Sequence, residues 1–226
     1  PKVYEIPNDL DYLHITTNNT IFGTQYKELP KTNVPLVADM SSDIFSRPLD
    51  YSKFDLFYAG AQKNMGPSGV TLVVVKETIF NMVKREIPSM LSYKVHADSG
   101  SMFNTPPVFP VYTVLLNLRW IANNGGLEGV GAQNDKKAKL IYDEIDRNPL
   151  FEGFANTDDR SAMNATFNLI DESHAAVFDP IWNNANISGL KGHRSVGGYR
   201  ASIYNALSME SAQTLVNCMK EFEKNA

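Results

Sequence analysis

The chain has 226 residues, 43% of them hydrophobic and 20% charged, with a formal net charge of -4. That is globular composition with enough apolar surface for a core, and it excludes disorder over the whole chain. The acidic balance disfavours a nonspecific nucleic-acid binder, and the single cysteine, Cys218, excludes an internal disulfide and a thiolate zinc cluster.

The chain opens Pro1-Lys2-Val3-Tyr4-Glu5, with no basic or apolar leader. A cytoplasmic, reducing home is expected. The sequons at Asn18, Asn164 and Asn186 then read as chance matches. Residues 10–16, 35–39, 55–60 and 70–75 read as strands. Their short, continuous apolar runs suit strands buried on both faces of an α/β sheet. None approaches the length of a membrane span. Residues 76–86 look helical. Asn104-Thr105-Pro106-Pro107 is a breaker. Residues 108–123 are apolar on nearly every side, which predicts a largely buried helix stopped at Gly125-Gly126. Leu127, Val130, Asn134, Ala138, Ile141 and Ile145 recur at spacings of three and four, with Lys136, Lys137 and Lys139 between them. That is an amphipathic helix ending before Pro149. Residues 163–169 alternate as a half-buried strand. Met209, Ala212, Leu215, Val216, Met219 and Phe222 mark a final helix capped by Ser208. The fold class is therefore α/β, with an expected division into domains 1–121 and 122–226.

Several motifs fail. His14, His96, His174 and His193 lack ligand spacing, so no metal site is expected. There is no G-x-S-x-G elbow. Gly126-Leu127-Glu128-Gly129-Val130-Gly131 has the wrong spacing for a dinucleotide loop and reads as a helix–helix turn. Gly66-Pro67-Ser68-Gly69 lacks the P-loop pattern.

Three polar residues stand at or just after predicted strands: Thr20, Asp39 and Lys63. In open α/β sheets, ligands bind beyond the carboxyl ends of the strands, where these three would converge. A carboxylate and a later lysine are what a pyridoxal phosphate (PLP) site needs. The amine forms an imine with the aldehyde, and the carboxylate keeps the pyridine nitrogen protonated so that the ring acts as an electron sink.

Four stretches carry a resemblance: Asp39-Met40-Ser41-Ser42, 59–67 (AGAQKNMGP), 101–107 (SMFNTPP) and 192–202 (GHRSVGGYRAS). Together, in this order, they resemble the phosphoserine aminotransferases, fold-type I PLP enzymes of serine biosynthesis in the class V aminotransferase family. The resemblance implies the second half of the fold-type I large domain in 1–121 and an α+β small domain in 122–226. It implies that Lys63 is the Schiff-base lysine, that Asp39 partners the pyridine nitrogen, and that Thr20 lies near the ring oxygen. It also implies that Gln62 contacts the cofactor phosphate. Asn104 and Thr105 would reach the cofactor phosphate of a neighbouring subunit in a homodimer with shared sites. His193 and Arg194 would recognise the substrate's phosphate or distal carboxylate, and Arg200 its α-carboxylate. The implied reaction moves an amino group between glutamate and 3-phosphohydroxypyruvate, giving phosphoserine and 2-oxoglutarate. The partners are then small molecules, with no nucleic acid or membrane.

The sequence departs from that pattern in two ways. Family members carry a long preceding segment with the helix N-terminus that cradles the cofactor phosphate, the stacking aromatic and a His-Arg pair. None has a counterpart here, so an N-terminally truncated, weak or inactive fragment is expected. Thr16-Thr17-Asn18-Asn19 also departs from the usual Cys-Pro-Asn-Glu-like stretch. Two other readings stay open: a non-catalytic fragment, and another fold-type I PLP enzyme with a different substrate.

Overall fold

The computed structural model describes residues 5–226, so the first four residues of the chain lie outside it. In chain order its strands are β1 (Leu13–Thr16), β2 (Asn18–Asn19), β3 (Thr24–Gln25), β4 (Leu36–Asp39), β5 (Leu56–Gly60), β6 (Thr71–Val75), β7 (Phe151–Gly153), β8 (Asn164–Leu169) and β9 (Tyr199–Ser202). The helices are α1 (Glu77–Phe80), α2 (Tyr93–Asp98), α3 (Val108–Asn123), α4 (Gly126–Arg147), α5 (Ala175–Asn184) and α6 (Met209–Asn225). They group into two compact units that interleave along the chain. The first holds the residues up to Thr16, then 30–41 and 49–120. The second holds 17–29, 42–48 and 121–226. Among the described residues no helix is long and apolar enough to cross a membrane.

The first unit is built on a four-stranded sheet of order β1-β4-β5-β6. β1, β4 and β5 run parallel and β6 is antiparallel. The sequence predicts strands buried on both faces, and the structure corrects this. Ile15, Leu36, Ala38, Phe57 and Ala59 bury one face, while His14, Thr16, Val37, Asp39 and Tyr58 are partly or fully exposed on the other. β6 lies at the sheet edge, and Val74 is 43% exposed. A β-branched run encodes an extended backbone, not what covers it. The same correction applies to α3. Its apolar residues form a helix as expected, but Val108 and Phe109 are about 70% exposed and only Ile121 is buried. The helix expected over 76–86 shrinks to α1, whose start has no side-chain cap.

The second unit packs α4, α5 and α6 around the antiparallel sheet β7-β8-β9. Its centre is aromatic. Phe151 makes edge contacts with Phe167, Phe178 and Phe222 at ring-centroid distances of 5.5, 5.2 and 5.6 Å. The α4 pattern is met by buried Val130, Asn134, Ala138, Ile141 and Ile145. The turn expected over 126–131 is confined to Gly125 and Gly126, both at positive φ, and 127–131 already belong to α4. Ser208 caps α6, its Oγ accepting from the Ser211 N–H at 3.2 Å.

Two expectations change here. β8 is buried along nearly its whole length rather than half-buried. Its polar side chains are covered by the β2–β3 hairpin: Asn18 Nδ2 donates to Asn164 Oδ1 at 2.9 Å, and Thr166 Oγ1 donates to the Phe22 carbonyl at 3.0 Å. Lys137, expected on the polar face of α4, is 2% exposed. Its ammonium donates to the carbonyls of Ile203, Tyr204, Asn205 and Leu207, in the loop after β9.

Candidate active site

In the first unit, Asp39 ends β4 and Lys63 lies in the turn just beyond β5, its parallel neighbour. Ser41 ties the two strand ends together. Its N–H donates to Asp39 Oδ1 at 2.8 Å, and its Oγ accepts from the Gly60 N–H at 3.1 Å. The chain then turns over 61–66, where the N–H groups of Met65 and Gly66 both donate to the Ala61 carbonyl. Lys63 is half-buried in this turn and Gln62 is exposed. A side chain at Gly60 would meet Gln62 Oε1 at 2.6 Å, so glycine lets the Gln62 amide fold back over the strand end. Burial pushes the Tyr58 phenol above its ordinary range, and the negative charge of the neighbouring Asp39 adds to the effect. Asn104 and Thr105 are exposed on the segment between α2 and α3.

In the second unit, Thr20 sits half-buried in the β2–β3 turn. The turn is shaped by Asn19, whose Oδ1 accepts from the N–H groups of Ile21 and Phe22, and by Gly23 at φ 67°. Asn18 anchors the hairpin. Its Nδ2 donates to Ser42 Oγ at 2.9 Å, and its Oδ1 accepts from the Ser161 hydroxyl. Thr17 and Gln25 donate to the buried Asp43 carboxylate.

The second unit also carries the loop between Lys191 and Tyr199. Its neck closes where the Gly192 N–H donates to the Gly198 carbonyl at 2.8 Å. A side chain at Gly192 would meet the Gly197 carbonyl oxygen at 1.8 Å, so only glycine fits. Asp179 on α5 braces the neck, accepting from Lys191 Nζ at 2.5 Å, Tyr199 Oη at 2.8 Å and Trp182 Nε1 at 3.1 Å. Burial opposes the Asp179 charge, but these three donors outweigh it and hold the carboxyl below its ordinary range. Within the loop, the Ser195 N–H donates to His193 Nδ1 at 3.2 Å. A backbone N–H can only donate, so Nδ1 is the acceptor and the neutral ring carries its proton on Nε2. Arg194 is exposed, and Arg200 is half-buried on β9. The Arg200 Nε is buried without a hydrogen-bond partner. Ile21, Thr166, Gly192, Val196 and Arg200 line one small cleft, which brings the Thr20 turn beside the Arg200 strand inside this unit.

The geometry thus groups Asp39, Gln62 and Lys63 at one sheet end, and the Thr20 turn, the His193 loop and Arg200 around another unit's cleft. His14, Tyr58, Asp179 and Lys191 escaped sequence reasoning. The period-two alternation of β1 and β5 could have flagged the first two, since it sets them on the Asp39 face. Asp179 has no signal short of tertiary structure.

The aminotransferase class-V family pattern matches residues 4–215. The chain belongs to the class-V aminotransferase family. Among curated relatives of this family, the phosphoserine aminotransferase of Flavobacterium psychrophilum is 62% identical over 223 residues, covering 99% of this chain and 63% of the relative. The solved phosphoserine aminotransferase from Bacillus circulans subsp. alkalophilus is 48% identical with a TM-score of 0.94, covering 98% of this chain and 62% of that one. A PLP-bound phosphoserine aminotransferase from Trichomonas vaginalis is 36% identical with a TM-score of 0.90, covering 96% and 62%. This class-V aminotransferase chain therefore spans a little under two thirds of the length of the relatives it matches.

Proposed function

We propose that this chain carries the lysine-bearing part of a phosphoserine aminotransferase. The reaction is PLP-dependent transfer of an amino group between glutamate and 3-phosphohydroxypyruvate, with phosphoserine and 2-oxoglutarate as the other pair. One observation carries the reading. A carboxylate and an amine stand at the carboxyl ends of adjacent parallel strands, tied by Ser41, in a chain 62% identical to a phosphoserine aminotransferase.

The donor chemistry fits the cofactor and an anionic substrate. A carboxylate suits a protonated pyridine, an amine suits an aldehyde, and the orphaned Nε of Arg200 suits a carboxylate. PLP, when bound, supplies an electrophilic carbonyl and a ring that withdraws electrons. Lys63 would hold that carbonyl through Nζ, and once the substrate amine displaced it the freed Nζ would take the substrate Cα proton and return it. Asp39 holds the proton of the pyridine nitrogen. Thr20 orients the ring. Gln62 binds the cofactor phosphate, as do Asn104 and Thr105 of a neighbouring copy in a homodimer with shared sites. His193, donating through Nε2–H, and Arg194 take the substrate phosphate, while Arg200 takes its α-carboxylate. In this reading residues 1–121 are the second half of the cofactor-binding domain and 122–226 the small domain. The protein works in the cytoplasm on small molecules, without nucleic acid or membrane.

The test is a PLP titration of the chain followed by borohydride reduction and peptide mapping. Reduced cofactor on Lys63, absent from Lys63→Ala, is the expected result. Labelling that is the same in Lys63→Ala overturns the assignment.

A further inference from the structure

The loop that carries His193 and Arg194 leaves and rejoins the second unit at one neck. Its backbone pairs twice there. Lys191 and Tyr199 face each other in an antiparallel bridge, and the Gly192 N–H donates to the Gly198 carbonyl at 2.8 Å. Beyond the neck the chain curls on itself, with the Val196 and Gly197 N–H groups both donating to the His193 carbonyl. Gly197 and Gly198, at φ 71° and 61°, return it to β9 through a backbone region that favours glycine.

A closed triangle of side chains locks that neck to α5. Asp179 Oδ2 accepts from Lys191 Nζ at 2.5 Å, and Oδ1 accepts from Tyr199 Oη at 2.8 Å. Lys191 Nζ also lies 3.2 Å from Tyr199 Oη and 4.5 Å from the centre of its ring. An ammonium only donates and an ionised carboxylate only accepts, so each bond has one direction. The phenol oxygen accepts from Lys191 and gives its own proton to Asp179. The carboxylate is itself held in place. Trp182 Nε1 donates to Oδ1 at 3.1 Å, and the adjacent Phe178 is fully buried with its ring centroid 5.1 Å from that of Tyr199. The triangle therefore ties the residue before the loop and the residue after it to one core helix.

We propose that Asp179 is a positioning residue for the anion-binding loop: by clamping Lys191 and Tyr199 together it holds His193 and Arg194 ready for the substrate's phosphate. This rests on the reading of His193 and Arg194 above. Stability alone does not account for the clamp. The Lys191 side chain is 52% exposed and that of Asp179 28%, and ion pairs this open to solvent contribute little to folding. Nor does charge account for it, since a carboxylate at the base of the loop opposes an anion rather than attracting one. What the clamp supplies is order. A loop already held at its neck loses less freedom when an anion binds, and that ordering cost is what weakens a loose site.

Order and charge have opposite signs in Asp179→Asn. Removing a negative charge tightens phosphate binding if charge alone acts, whereas loosening the neck weakens it. The probe is inorganic phosphate, titrated into the 15N-labelled chain at fixed pH and ionic strength. Saturation of the amide shifts at His193 and Arg194 gives the affinity of the folded chain, which a loss of stability alone does not move. Asp179→Asn binds phosphate about fivefold more weakly, the factor that matches the ordering cost of one immobilised side chain. Tyr199→Phe keeps the ring and changes no charge. It weakens binding in the same direction by less, and adds little in the Asp179→Asn background. In both variants the amides of 193–197 exchange faster while those of β8 keep their protection. If Asp179→Asn does not fold, Tyr199→Phe decides by the same sign. If phosphate moves His193 and Arg194 in the parent chain and the folded Asp179→Asn chain binds it as tightly or more tightly, the positioning role is wrong and the anion reading of the loop stands. If phosphate moves neither residue in the parent chain, that reading fails and the positioning role falls with it.

Discussion

Lys137 offers a stability measurement whose sign follows from its surroundings. Its side chain is 2% exposed on α4, and its ammonium reaches four carbonyl oxygens of the loop that follows β9, the strand bearing Arg200. Those carbonyls offset part of the cost of burying a charge, but burial wins and pulls the lysine down to about 8. In the unfolded chain it returns to 10.5. Between these values the unfolded state binds a proton that the folded state has released, so stability rises with pH. Integrating that difference gives a gain of about 1.5 kcal/mol between about pH 8 and about pH 9.5. The comparison is with Lys137→Met, which keeps the stem and removes the titrating group. Urea unfolding would be followed by Trp182 fluorescence in a Trp120→Phe background, because Trp120 belongs to the other unit. The stability of the lysine chain, minus that of the methionine variant, should climb over this window. A flat or falling difference would mean that the carbonyl cage holds the ammonium charged, and would refute the reasoning.

Two further outcomes are expected. Phe222→Ala opens a cavity against Phe151 and Phe178, whose rings lie 5.6 and 5.2 Å away, and costs about 3–5 kcal/mol in the same unfolding assay. Gly192→Ala forces the neck of the 191–199 loop open, since its methyl would overlap the Gly197 carbonyl. Its backbone amide should exchange faster, and the amide shifts that inorganic phosphate induces at His193 and Arg194 in the parent chain should weaken. Unchanged exchange would mean that the loop absorbs the methyl elsewhere.

Local pattern carried most of the element assignments. The three-and-four spacing from Leu127 to Ile145 became α4, and Ser208 became the cap of α6. Burial was less legible. Residues 70–75 and 108–123 form the expected strand and helix, yet both are widely exposed. Apolarity states what a surface prefers to meet, and only tertiary packing supplies the partner. Lys137 shows the reverse case, a cation in the polar register of its helix that is buried because a neighbouring loop offers carbonyls.

The candidate site divides the same way. Asp39 and Lys63 were readable because each follows a strand, and the pattern of a parallel sheet sends strand ends to one side. An α-carboxylate ligand role for Arg200 came only from the resemblance carried by residues 192–202. What surrounds these residues was not readable. Tyr58 and His14 lie 19 and 25 residues from Asp39 and share its sheet face only through strand register. Asp179 meets Lys191 and Tyr199 only because α5 packs beside the loop neck. By itself the sequence determined most of the longer strands and helices, though not β2, β3, β7, β9, α2 or α5, and where a carboxylate and an amine stand at strand ends, because those depend on residues close along the chain. The surroundings of the site were decided by tertiary structure, because strand register and the packing of α5 beside the loop neck bring in residues distant along the chain.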